Sequence, residues 1–297
     1  MNDPTVDVRL ARELVDRRFP EWAGLPLRAI EPGGFDHRSF RLGDDLVVRI
    51  PSAPWYVPQV AKEQEWLPVL GAELPLPIPR IVGVGEPSAR FPFPWSVYGW
   101  IPGETAETAA IVEEVRFADD LAAFLIALRG IEASDGPGPG AHCAYRGAPV
   151  SQWDDEVRAL LPRIGDARER ARASAIWRDA TAEPHGGAPV WFHGDVARAN
   201  LLVRDGRLSA VIDFGCAGVG DPACDTVIAW TTFSGASRRA FVRAYDVDDA
   251  TWARGRGWAL WKVLILLDSP EQRWVELARR TLAALLEEDG SKNPGAH

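Results

Sequence analysis

In the stretch 190–220, His193, Asp195, Asn200 and Asp213 carry groups that can handle protons or metal ions. Asn200 lies five residues after Asp195, and Asp213 lies thirteen after Asn200. A carboxylate beside an alcohol can orient it and take its proton. An amide oxygen and a second carboxylate can hold Mg²⁺ against nucleotide phosphates. The chemistry that uses all three is phosphoryl transfer. Positioning falls to three short apolar runs, 190–192, 201–203 and 208–212. Between the second and third, Arg204-Asp205-Gly206-Arg207 reads as a tight turn, because Asp-Gly favours the positive φ angles such turns need. A hairpin there predicts Asp195, Asn200 and Asp213 at one end of two strands, facing a common cleft.

The protein-kinase signature, H-R-D-x-x-x-x-N followed by D-F-G, gives these roles to the same residue types in the same order. Here Gly194 stands where kinases have arginine. The form H-G-D-x-x-x-x-N (193–200), then I-D-F-G (212–215) and G-D-P-A-x-D (220–225), resembles the aminoglycoside phosphotransferase family. Its members phosphorylate antibiotics and small metabolites on a kinase-like fold. The resemblance implies an α+β, bilobal protein-kinase-like fold with a small antiparallel-sheet N-lobe and a larger, mostly helical C-lobe. It implies ATP or GTP as donor and Mg²⁺ held by Asn200 and Asp213, with Asp195 as base.

The same resemblance places further residues. Arg49 ends the strand LVVRI where kinases carry a phosphate-gripping lysine; by itself it reads equally as a solvated strand-end arginine. Arginine can pair with phosphate through two parallel hydrogen bonds, although its geometry differs from that of lysine. Glu63 is the expected partner of Arg49, ahead of Glu65, because it matches the family's K-E-x-x-W-L pattern. Gly33 and Gly34 stand where a loop covers the nucleotide phosphates, yet two glycines after a proline are also an ordinary turn. The Gly99 carbonyl and the Ile101 N–H are expected to bind the nucleobase, with Tyr98 lining the back of that pocket or packing in the core. A bulky residue there goes, in some members, with use of GTP. His193 is expected to anchor the loop by hydrogen bonding, with an acid role as the weaker option. Arg198 either neutralises γ-phosphate charge or is a surface arginine. Asp221 is expected to cap a helix and, by resemblance, to brace the catalytic loop.

The elements around these residues follow from pattern. An amphipathic helix is predicted over 3–19, short strands over 27–30, 39–42 and 46–50, and a helix over 58–70. Two more strands fall in the proline-rich stretch, at 81–85 and 95–100. Helical periodicity then takes over at 111–131, 152–161, 168–180, 237–245, 251–267 and 271–287. The expected division is an N-lobe over 1–98, a hinge over 99–103, a C-lobe over 104–290 and a disordered tail over 291–297.

Composition narrows the partners. The net charge of −9 argues against nucleic acid and weakly favours cationic ligands. No apolar run is long enough to span a membrane, and the N-terminus lacks a signal-peptide core. Three irregularly placed cysteines suggest buried thiols in a reducing cytoplasm; a zinc site from His193, Cys216 and Cys224 is the less favoured reading. Lysine is nearly absent, at Lys62, Lys262 and Lys292 alone. The acidic balance suits an aminoglycoside acceptor, the tryptophan-rich C-terminal half suits a macrolide, and sugar, choline-like or homoserine-like alcohols remain open. A monomer or homodimer is expected. The competing readings are a nucleotide-binding protein without transfer activity and a metal-dependent hydrolase built on Asp195 and Asp213.

Overall fold

The computed structural model describes residues 6–31, 33–34 and 36–287; the predicted tail over 291–297 lies outside them. The first five strands, β1 (Leu27–Ala29), β2 (His37–Leu42), β3 (Leu46–Pro51), β4 (Ile81–Gly85) and β5 (Trp95–Gly99), form one antiparallel sheet in the order β1-β2-β3-β5-β4. Strand alternation gives the sheet two different faces. Val48 and Ile50 of β3 and Val97 of β5 join Phe40 and Leu42 in a core with Leu10, Leu14 and Val15 of helix α1 (Val8–Arg18). Each such buried aliphatic side chain contributes roughly 1.5–3 kcal/mol. The intervening residues, Val47 and Arg49 on β3 and Tyr98 on β5, therefore face the other way. Helix α2 (Val57–Glu73) covers that side and buries Gln59, Val60, Lys62, Glu63, Leu67 and Leu70.

The stretch 190–220 holds the expected hairpin and a second strand pair. β8 (Leu201–Arg204) and β9 (Arg207–Val211) do pair across the Asp205-Gly206 turn, and β6 (Glu104–Thr105) joins them in the order β6-β8-β9. β7 (Val190–Phe192), however, pairs with β10 (Gly218–Gly220) as a separate ribbon. β10 is not among the predicted strands. Packing explains its Gly220: a Cβ there would lie 2.4 Å from the Gly147 carbonyl oxygen.

The remainder is helical: α3 (Glu114–Arg129), α4 (Asp154–Leu160), α5 (Ala167–Ala182), α6 (Ile228–Thr231), α7 (Gly235–Tyr245), α8 (Asp249–Leu266) and α9 (Gln272–Glu287). α3 packs on α7, and α8 is held between α5 and α9. The chain is thus α+β, with an N-terminal five-stranded antiparallel sheet and a helical C-terminal region. Among the described residues no helix is long and apolar enough to cross a membrane.

Candidate active site

Arg49 reaches across the sheet's inner face to two carboxylates. Its Nη2 donates to Asp213 Oδ1 at 2.8 Å and its Nη1 to Glu63 Oε1 at 3.3 Å. Glu63, rather than the exposed Glu65, points inward from α2, and its side chain is fully buried. Tyr98 is also buried, and its hydroxyl donates to Glu63 Oε2 at 2.5 Å. His37, 2% exposed, brings Nδ1 to 3.4 Å from Arg49 Nη2.

Charge states follow from these contacts. Burial pushes the Asp213 carboxyl up, but the Arg49 charge and hydrogen bond override it and hold it at about 2. Burial raises Glu63 above the ordinary carboxylate range against the opposing pull of Arg49. Burial, helped by Arg49, lowers His37 to about 3, so the imidazole is neutral at physiological pH. Burial also raises Asp36, next to the glycine loop, and the Asp213 and Asp195 charges add to the effect.

The loop after β7 is fixed from below. Asp225 Oδ2 accepts the His193 N–H at 2.8 Å and its Oδ1 accepts the Gly194 N–H at 2.7 Å. His193 Nε2 lies 3.1 Å from the Ile212 carbonyl, and Nδ1 accepts the Asp195 N–H at 3.2 Å. Those partners assign the neutral Nε2-protonated tautomer and engage both ring nitrogens. Gly194 sits at φ +81°, where a Cβ would stand 2.6 Å from the Cys216 carbonyl oxygen. An arginine, as in the kinase signature, has no room here. Asn200 Nδ2 donates to the Asp195 carbonyl at 2.9 Å and to its Oδ2 at 3.1 Å, tying the two side chains together. Asp213 adopts φ +66°, an uncommon conformation for a residue with a side chain. Buried Lys62 clasps the turn that follows, donating to the Gly215 and Ala217 carbonyls, each at 2.7 Å.

The remaining expected residues are placed as follows. Asp221 caps the short helix that starts at Pro222, as expected, and pairs with Arg254 at 2.6 Å, whereas the carboxylate that braces the 193–200 loop is that of Asp225. Arg198 is half-buried, with no side-chain hydrogen bond or ion pair among the described residues. Gly33 and Gly34 are exposed, and the Gly34 carbonyl accepts from Arg38. The Gly99 N–H donates to the Arg80 carbonyl at 2.9 Å, whereas the Ile101 N–H takes part in no hydrogen bond among the described residues.

Pattern reasoning missed Arg146 and Lys262, which approach Asp195 Oδ1 to 3.9 and 3.8 Å. The rarity of lysine was the available signal: two of the chain's three lysines, Lys62 and Lys262, stand at this site. The cysteines are free thiols, and burial pushes Cys216 up to about 12. Among the described residues no group of three or more His, Cys, Asp or Glu side chains is arranged to hold a metal. A wider, open concavity of about 940 Å³, lined by Glu113, Glu114, Asp119 and Asp120, includes none of the residues that meet at Asp195 and Asp213.

A five-stranded sheet over a helical region, with an Asp-loop-Asn segment facing a left-handed Asp-Phe-Gly, defines a kinase-like phosphotransferase. The model of the phosphotransferase enzyme family matches residues 27–258, and the chain belongs to that family. It is an enzyme class that transfers phosphate to hydroxyl acceptors. None of the curated proteins matches the chain. Among solved structures, the GDP and kanamycin complex of APH(2")-IIIa is 20% identical with a TM-score of 0.70, covering 94% of this chain and 99% of that one. The streptomycin-ATP ternary complex of APH(2")-IIa is 18% identical with a TM-score of 0.59, covering 97% and 98%. Macrolide 2'-phosphotransferase MphH from Brachybacterium faecium, as apoenzyme, is 23% identical with a TM-score of 0.62, covering 92% and 97%. At these identities the likeness is one of fold.

Proposed function

We propose that this phosphotransferase moves the γ-phosphoryl group of ATP or GTP to a hydroxyl of a small molecule, in a cleft between an N-lobe (1–98) and a C-lobe (104–290) joined by a hinge at 99–103. The observation that carries the reading is the pairing of Asp195 with Asn200 opposite an Asp213 held ionised by Arg49. Asp195, with 35% of its side chain exposed, orients the acceptor and takes its proton. The freed oxygen attacks the γ-phosphorus, the β–γ bridging P–O bond breaks, and the nucleoside diphosphate leaves with that electron pair. Catalysis here is positioning plus electrostatics.

Mg²⁺ takes one or two protein ligands together with phosphates and water. The residues fit: the Asn200 amide nitrogen is spent on Asp195, which leaves its oxygen for a cation, and Asp213 stays ionised with Oδ2 unbonded among the described residues. When bound, the ion would neutralise phosphate charge. Arg49 steadies the phosphates with Glu63, Tyr98 and His37 behind it; Gly33 and Gly34 cover them. The Gly99 carbonyl and the Ile101 N–H take the base. His193 holds the loop rather than serving as acid, since both ring nitrogens face backbone groups. Arg198 is free to meet the γ-phosphate. Three reduced thiols accord with a cytoplasmic enzyme.

Kanamycin, streptomycin and macrolide stand in the names of the similar structures, and an antibiotic acceptor is part of this reading. Arg146 and Lys262 beside Asp195 disfavour the polycationic ones. The test is ³¹P NMR of the protein with Mg²⁺ and ATP or GTP against a panel of antibiotics and small alcohols. A new phosphate-ester resonance with one acceptor supports the reading. Phosphate release from simple esters without any nucleotide would overturn it in favour of a hydrolase.

A further inference from the structure

We propose that the concavity beside Asp195 is an acceptor subsite for an alcohol bearing a carboxylate or similar anionic group, and that it rejects polycations. The inference rests on the phosphotransfer reading above. The concavity is lined by Arg146, Asp195, Val227, Trp258, Trp261 and Lys262, among others. Its free volume, about 20 Å³, is close to that of one water, so it admits the reacting arm of an acceptor while the body lies against the rim.

Two cations here are under-used. Arg146 Nη2 and Lys262 Nζ stand 3.9 and 3.8 Å from the same Asp195 oxygen, beyond the 2.7–3.2 Å of a hydrogen bond. Neither group has another hydrogen-bond partner among the described residues; the Arg146 contacts run through Nη1, to the Cys143 carbonyl and the Cys216 sulfur. Both side chains are largely buried, at 18% and 23% exposure, so water satisfies them only in part. One carboxylate facing two cations leaves a net positive charge toward the concavity. The nearby acids do not offset it. Asp225 is spent on two backbone N–H groups, Asp221 on Arg254, and Glu156 accepts the Trp261 indole N–H at 2.7 Å without pairing with either cation.

An anionic group on the acceptor supplies the missing oxygens and leaves Asp195 to the hydroxyl. Ammonium groups would instead meet Arg146 and Lys262. Trp258 and Trp261 close the back of the concavity, but at 2% and 6% exposure, with Trp153 stacked on Trp261 at 4.8 Å, they offer no open ring face. The protein's overall acidity points the other way, toward cationic ligands, but long-range charge is screened within about 8 Å at physiological salt. The local pair decides.

The test is calorimetric titration of the protein, loaded with Mg²⁺ and whichever of ADP or GDP it binds, with three matched probes: 3-phenyllactate, 3-phenylpropane-1,2-diol and phenylalaninol, with kanamycin as polycation. The expected order is anion, neutral, cation, with about tenfold or more separating the first from the last. Lys262→Glu is expected to reverse that order. Lys262→Gln, which keeps reach without charge, is expected to flatten it and covers the case in which Lys262→Glu does not fold. Equal binding of all probes, binding of none, or a preference for phenylalaninol or kanamycin would overturn the proposal. Failure of ADP and GDP to bind in the loading step would instead count against the phosphotransfer reading, separately from the order of the probes.

Discussion

Replacing Arg49 with methionine removes one guanidinium from two carboxylates at once. Glu63, whose side chain is fully buried, would keep only the Tyr98 hydroxyl; Asp213, at 35% exposure, would be partly rescued by water. Breaking a buried ion pair from one side costs about 3–5 kcal/mol, and the exposure of Asp213 argues for the lower end, about 3 kcal/mol. For a chain of this size that is a fall in Tm of roughly 5 °C. The pH dependence follows from Glu63. Burial already raises it above its ordinary 4.5, and loss of Arg49 raises it further. A folded-state value above the unfolded one gives stability that is complete below the unfolded value and is lost as pH rises through the folded one. The Arg49→Met deficit should therefore be smaller at pH 5 than at pH 8. The Asp213 contribution is present above its ordinary 3.8 and is lost only as pH falls toward about 2, so it does not distort the comparison. Adding Glu63→Gln removes the stranded charge and should restore part of the Tm at pH 8. Differential scanning calorimetry of wild type, single and double variants at both pH values checks this. Equal deficits at the two pH values, or a double variant no more stable than Arg49→Met at pH 8, would refute the buried-pair reasoning.

Three further outcomes are expected. Asp195→Asn should lower turnover about 10²–10⁴-fold while leaving the nucleotide dissociation constant near that of wild type, measured by steady-state kinetics and calorimetry; near-normal turnover would remove Asp195 as base. Gly194→Ala should lower Tm through its φ of +81° and the Cβ contact with the Cys216 carbonyl, by roughly 1–3 kcal/mol or more of stability, and an unchanged melting curve would contradict that geometry. Cys216, pushed up to about 12, leaves roughly one thiolate in 10⁴ at pH 8, so iodoacetamide should label the folded protein far more slowly than the unfolded one; equal rates would contradict the burial.

Local signals carried much of the architecture. The Asp205-Gly206 turn announced the β8–β9 hairpin, and the apolar run 46–50 announced the strand that carries Arg49. The K-E-x-x-W-L pattern directed attention to Glu63, which lies 3.3 Å from Arg49. Contacts between distant segments were not legible. Nothing local marks Lys62 as a clasp on the Gly215 turn, or Asp225 rather than Asp221 as the support under His193. The Tyr98 hydroxyl serves Glu63, a use that its position before the proposed hinge did not announce. Arg146 sits in a Gly/Pro-rich loop and Lys262 in a helix far along the chain, and only tertiary packing brings both to Asp195. β10 was missed for a related reason: its Gly220 matters through close approach to the Gly147 carbonyl, a contact between distant segments.

The central claim is that Asn200 and Asp213 flank a magnesium-bound nucleotide phosphate. Calorimetric titration of ADP and GDP, with Mg²⁺ and again with EDTA, tests it most directly. Wild type should bind at least one diphosphate about tenfold or more tightly with Mg²⁺, and Asn200→Ala and Asp213→Asn should each erase that difference. Wild-type binding indifferent to Mg²⁺, or variants that keep the full metal dependence, would contradict the account.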